Sequence, residues 1–298
     1  MRIHPFASIA LAAVATAAAA QPASQPAAAS DAGNPIVVTG QKESRKAIQD
    51  FVRDLTPTLW EGKVSRFEHE VCPGVYGLAK PQAQAVEDRI RIVGKSVGID
   101  VAGPGCAPNL VVIATSDKKV LLEELWKHRG EYFGDMPRGH VRDMETDPEP
   151  AAVWQLRGAP ISASGMDLRW DDRTGAWMNN TTDAGSRITQ SARPQFDGAV
   201  VVVEKKALAD LTTTQLGDYA AIRALTGADP GKLSNSGAPT ILHVLEVPVG
   251  GQAPITMTKW DYSFLKGFYD TRRNVSAARQ RSAIGESMEK QIKQPPGY

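Results

Sequence analysis

Histidine and cysteine are scarce in this chain, with five and two among 298 residues. Past the first twenty residues the histidines are His69, His128, His140 and His243, and none belongs to a His-Glu-x-x-His helix of the kind that binds zinc. The chain also lacks a Gly-x-Ser-x-Gly elbow, a Gly-x-Gly-x-x-Gly turn after a strand and a phosphate loop ending in Gly-Lys-Ser/Thr. These absences remove the usual signatures of a serine hydrolase, a dinucleotide-binding fold and a nucleotide triphosphatase. Charge of one sign is missing as well. The 34 basic and 33 acidic residues leave a formal net charge of +1, without the basic field that nucleic-acid binding requires, so no nucleic-acid partner is expected. After residue 20 no apolar run approaches the roughly 20 residues of a membrane-spanning helix.

What is present is a globular composition with a short leader. Apolar residues at 42% and charged residues at 22% suit a chain that buries a core. Residues 1–20, MRIHPFASIALAAVATAAAA, place Arg2 and His4 before an apolar run ending in small residues. This reads as a signal peptide cleaved near Ala20, with a periplasmic or secreted product. Residues 21–41 are rich in Ala, Pro and Ser and read as a linker, leaving 42–298 as a single domain. In an exported chain, Cys72 and Cys106 most simply form one disulfide; a reactive thiol or a two-cysteine metal site is the alternative.

Periodicity along the domain predicts α+β architecture, a mixed sheet with flanking helices. Ile48, Phe51, Val52 and Leu55 share a helical face, as do Val86, Ile90, Val93 and Val97 after Pro81, with Gly98 as a stop. Leu110 to Thr115 reads as a strand covered on both faces. Asp117 caps a following helix expected to turn Val120, Leu121, Leu125 and Trp126 inward. Residues 131–150 read as a polar loop in which His140, Asp143 and Glu145 are the nearest thing to a cation site. Short strands follow at Ala152 to Leu156, Ile161, Met166 to Trp170, Ala176 to Met178, Ser186 to Gln190 and Ala199 to Val203, with a turn at Asp171 to Gly175. Thr212 with Gln215, and Thr258 with Asp261, have capping-box spacing, and a last amphipathic helix spans Ser276 to about Lys293. Thr240 to Val247 fits either a helical turn or a strand.

Chemistry-bearing residues are dispersed. Ser162 and Ser164 have no neighbouring base in sequence, and acid pairs such as Asp171 with Asp172 or Glu145 with Asp147 fit turns as well as acid–base work. The tryptophans at 126, 154, 170 and 177 suit core packing or an aromatic cleft for sugars or peptides.

Three resemblances attach to particular residues. Pro35-Ile-Val-Val-Thr-Gly40 resembles the TonB box that follows the signal peptide of outer-membrane receptors, which implies strand pairing with a periplasmic envelope partner. The strings Cys72-Pro-Gly-Val-Tyr-Gly-Leu78, Arg89-Ile-Arg-Ile92, Cys106-Ala-Pro-Asn-Leu110, Gln215-Leu-Gly-Asp-Tyr-Ala-Ala221, Thr240-Ile-Leu242 and Trp260 to Tyr269 resemble a family of secreted alphaproteobacterial proteins with no assigned activity. The order of elements looks like a zincin metalloprotease, in which one helix carries two zinc histidines and a glutamate. The corresponding stretch, Leu216 to Ala224, has neither residue type. The expectation is therefore a non-catalytic binding or envelope-associated protein, on the zincin-like scaffold that the resemblance implies, with no cofactor and no metal. The alternative is a hydrolase acting on peptide or cell-wall material, with Asp218, Tyr219 and His243 as its candidate residues.

Overall fold

The apolar stripes become helices and strands in the computed structural model, which describes residues 45–58, 62–180, 182, 185, 191–233, 237–248 and 250–293. The leader, the linker with its Pro35–Gly40 segment and the strand expected at 186–190 lie outside the described residues. Helix α1 (Arg45–Leu55) buries Ile48, Phe51, Val52 and Leu55. Strand β1 (Pro73–Tyr76) leads to α2 (Lys80–Ser96), which has proline in its first turn and buries Val86, Ile90 and Val93. Gly98, at φ +85°, takes the left-handed turn after it. Strand β2 (Leu110–Thr115) and α3 (Lys118–His128) follow, and Asp117 accepts the Val120 N–H at 2.9 Å to cap α3.

Three expectations need correction in this half. β2 alternates between buried and half-buried residues, so its second face is only partly covered. Val120 is exposed, and Leu122 instead points into the core. The polar stretch 131–150 is a 3₁₀ turn (Gly130–Phe133) followed by α4 (Arg138–Thr146), whose single buried apolar residue, Val141, leaves almost no periodic signal. Glu145, also buried there, accepts a bidentate pair from Arg138, so it serves the helix rather than a cation.

Strands β3 (Ala151–Arg157), β4 (Ile161–Ser162), β5 (Arg169–Asp171), β6 (Ala176–Met178), β7 (Ala192–Arg193) and β8 (Phe196–Glu204) complete the strands. Four of them form the main sheet in the order β1-β2-β8-β3. β1, β2 and β8 run parallel, and β3 is antiparallel at one end. The fold is α+β on a mixed sheet. β8 carries an apolar run from Ala199 to Val203, whose alternate residues feed two cores: Ala199, Val201 and Val203 face one, Val200 and Val202 the other. The first core is filled by α1, α2, α5 (Thr213–Thr226), α6 (Lys259–Asp270) and α7 (Ala277–Lys293); the second lies under α3 and α4.

Both capping boxes form. Thr212 and Gln215 open α5, and Thr258 and Asp261 open α6. Asp261 is fully buried, which raises its proton affinity, and hydrogen bonds from Thr240, Ile241 and Thr258 oppose that rise in part. Thr240 to Val247 resolves into a 3₁₀ turn at Ile241–His243. The disulfide Cys72–Cys106 joins the start of β1 to the loop before β2, with Cα atoms 6.0 Å apart. Beside it, the Asn109 and Leu110 N–H groups donate to the Cys72 carbonyl at 3.0 Å.

Candidate functional site

An end strand exposes a row of backbone donors and acceptors unless something covers it. β3 is such a strand: among the described residues its backbone pairs with β8 alone. Its sequence, AAVWQLR, carries no proline and no charge before Arg157, and the one irregularity in its pairing falls at Leu156/Arg157. Proline and charge, two of the usual protections of a free edge, are therefore absent over Ala151 to Leu156.

The edge is recessed between two banks. Asp135, Met136, Pro137 and His140 enclose a hollow of about 380 Å³ on the α4 side. Asp147 and Glu149 on one side, with Arg223 and Asp229 on the other, enclose a second of about 510 Å³. Val153 and Gln155 line both, so the two hollows form one groove along β3. The far bank is fixed by the end of α5. Gly227 turns the chain at φ +69°, and a side chain there would meet Gln155. Gln155 Nε2 in turn donates to the Arg223 carbonyl at 3.0 Å.

Arg223 is the most constrained group in this groove. It is only 6% exposed, and its Nη1 donates to the Tyr219 hydroxyl at 2.7 Å. Its Nε–H is sealed from solvent without an acceptor. Burial pushes the Tyr219 hydroxyl up to about 12, so Tyr219 stays neutral and acts as an acceptor for Arg223. Glu149 is raised above the ordinary carboxylate range by burial; the Arg223 charge opposes this, and Asp147, Asp229 and Glu246 add to it. His243 Nδ1 pairs with that same Glu246 at 2.9 Å.

Tyr219 thus lies beside Arg223 behind the groove, and His243, paired with Glu246, does not line it. Asp218 is placed elsewhere. Its carboxylate, fully buried, takes Arg89 at 2.6 and 3.0 Å, the Thr256 hydroxyl at 2.7 Å and the Met257 N–H at 2.6 Å. Those bonds fill its acceptor positions and tie α5 to α2 and to the segment before α6. The tryptophans are also divided. Trp126 and Trp154 pack on Phe133 in the second core, while Trp170 and Trp177 pair edge-on on the exposed β5–β6 hairpin.

Sequence reading missed Glu149, Arg223 and Asp229. No local spacing joins them, and only the docking of α5 beside β3 brings them together. Ser162 is fully buried, and its hydroxyl bonds to Ser164 and the Met166 N–H rather than to a base. Among the described residues no group of three or more His, Cys, Asp or Glu side chains is placed to hold a metal ion, and no helix is long and apolar enough to cross a membrane. In α5 the stretch Leu216 to Ala224 is buried on all sides. Comparison of the chain with protein-family models, curated proteins and solved structures finds no match.

Proposed function

We propose that this is an exported, non-catalytic binding protein of the cell envelope, periplasmic or secreted, that captures an extended segment of a partner protein along the free edge of β3. The carrying observation is an end strand free of proline and of charge before Arg157, with a second partner strand missing among the described residues, at the floor of a groove. Strand addition supplies affinity through backbone hydrogen bonds and leaves specificity to the hollows beside the edge. The groove lining carries Asp135, Asp147, Glu149 and Asp229 against Arg223 and Lys232, a balance that favours a segment bearing Lys or Arg. The disulfide supports export, because such bonds persist in oxidising compartments.

Selection of linear peptides on the full-length chain tests this reading. Enriched peptides should alternate apolar residues and carry basic ones, and Asp229→Lys should weaken their binding at least tenfold. Enrichment without basic residues, or binding indifferent to Asp229→Lys, would count against it. One observation favours hydrolysis as a second reading: Glu149 holds its proton more tightly than an ordinary carboxyl beside two further acids, a setting used for general acid catalysis. The readings separate on the fate of the peptide. Binding returns it intact, whereas hydrolysis cleaves it and loses that turnover in Glu149→Gln.

A further inference from the structure

Away from β3, a second hollow of about 440 Å³ is lined by four arginines, Arg193, Arg272, Arg273 and Arg279, and by no acid among the described residues. The wall is built rather than incidental. Arg193 is 5% exposed and held by Glu68 Oε1 at 3.2 Å, the Ser162 carbonyl at 3.1 Å and Asn274 Oδ1 at 2.6 Å, which leaves its Nη2 without a hydrogen-bond partner among the described residues. Arg273 donates to Glu68 Oε2 at 2.6 Å. Behind them Arg66, also buried, shares the same carboxylate at 3.0 Å and has an Nη2 with no acceptor. One buried carboxylate therefore serves three guanidiniums, and Arg272 and Arg279, both exposed, have no ion pair among the described residues.

The helix beside them adds to the surplus. Arg279 stands in the first turn of the 17-residue α7, and that turn contains no acid. A cation at a helix N-terminus is unfavourable, because the helix dipole already places positive charge there. Uncompensated guanidiniums at a helix start are what an oxyanion relieves, and planar guanidiniums match its oxygens pairwise. With three arginines sharing one carboxylate and two more lining the hollow, a doubly charged anion fits better than a single carboxylate.

We propose that this hollow is a binding site for a phosphate group, with Arg193 and Arg273 as its fixed floor and Arg272 and Arg279 as its closing arms. The group is either free phosphate or the headgroup of a phospholipid, and the test has an arm for each. Calorimetric titration of the full-length chain with inorganic phosphate, against chloride of equal ionic strength, reads the first. Cosedimentation with phosphatidylglycerol vesicles reads the second. Arg272→Ala combined with Arg279→Ala should weaken whichever binding is found at least tenfold. Neither side chain holds the fold, so the thermal unfolding midpoint should stay at the unmodified value. Lys119→Ala with Lys127→Ala, which removes two exposed charges elsewhere, should change binding less than twofold. Phosphate binding alone assigns a soluble ligand, and vesicle binding a lipid headgroup; each supports the site. The proposal is overturned if neither probe binds above the chloride control, or if the double arginine variant binds within twofold of the unmodified chain.

Discussion

At the scale of single residues, the most buried charges hold the chain together. Asp218 is one of the three residues that the sequence offers for a hydrolase. Its four incoming hydrogen bonds make it a pin between α2, α5 and the segment before α6. Asp218→Ala leaves Arg89 buried and unpaired, and should cost about 3–5 kcal/mol in urea unfolding. Glu68 and Glu149 make opposite predictions with pH. Burial alone would raise Glu68, but Arg66, Arg193 and Arg273 outweigh it and hold its carboxyl below the ordinary range. Its stabilisation is therefore present above the unfolded carboxyl pKa and fades as pH falls through the depressed folded value. Glu68→Gln should destabilise strongly at pH 7, and the gap should narrow in acid. Glu149 is raised in the folded state, so ionising it costs stability at neutral pH and costs nothing below the unfolded carboxyl pKa. Glu149→Gln should raise the unfolding midpoint at pH 7 and leave it unchanged near pH 4.

At the scale of elements, what was legible followed from periodicity and local chemistry. The stripes on α1 and α2, the Asp117 cap, both capping boxes and the pairing of Cys72 with Cys106 each depend on residues close in sequence or on a count of two cysteines. The disulfide spans 34 positions, and Cys72→Ala with Cys106→Ala should lose about 3–4 kcal/mol by the chain-entropy argument. What stayed hidden depends on docking. α4 escaped notice because it buries only Val141 and Glu145. The order β1-β2-β8-β3 inserts a strand from residues 196–204 between β2 and β3, and no alternation in β3 announces that it ends the sheet. The groove and the arginine wall escaped for the same reason. Glu149 and Arg223, or Glu68 and Arg273, are distant in sequence and meet only in the fold.

At the scale of the whole molecule, the near-neutral total charge conceals two opposed local surfaces. Acids predominate along the β3 groove, and arginines fill the hollow at the start of α7. A basic peptide and a phosphate group address different faces of the same chain, so each should bind in the presence of the other without competition. The central claim is that β3 accepts a partner strand, and its most direct measurement is amide hydrogen exchange of the full-length chain with and without a selected basic peptide. The account predicts slowed exchange concentrated in Ala151 to Leu156, where outward backbone groups gain partners. Bound peptide that leaves those amides exchanging at their free rate, with protection elsewhere, would contradict it.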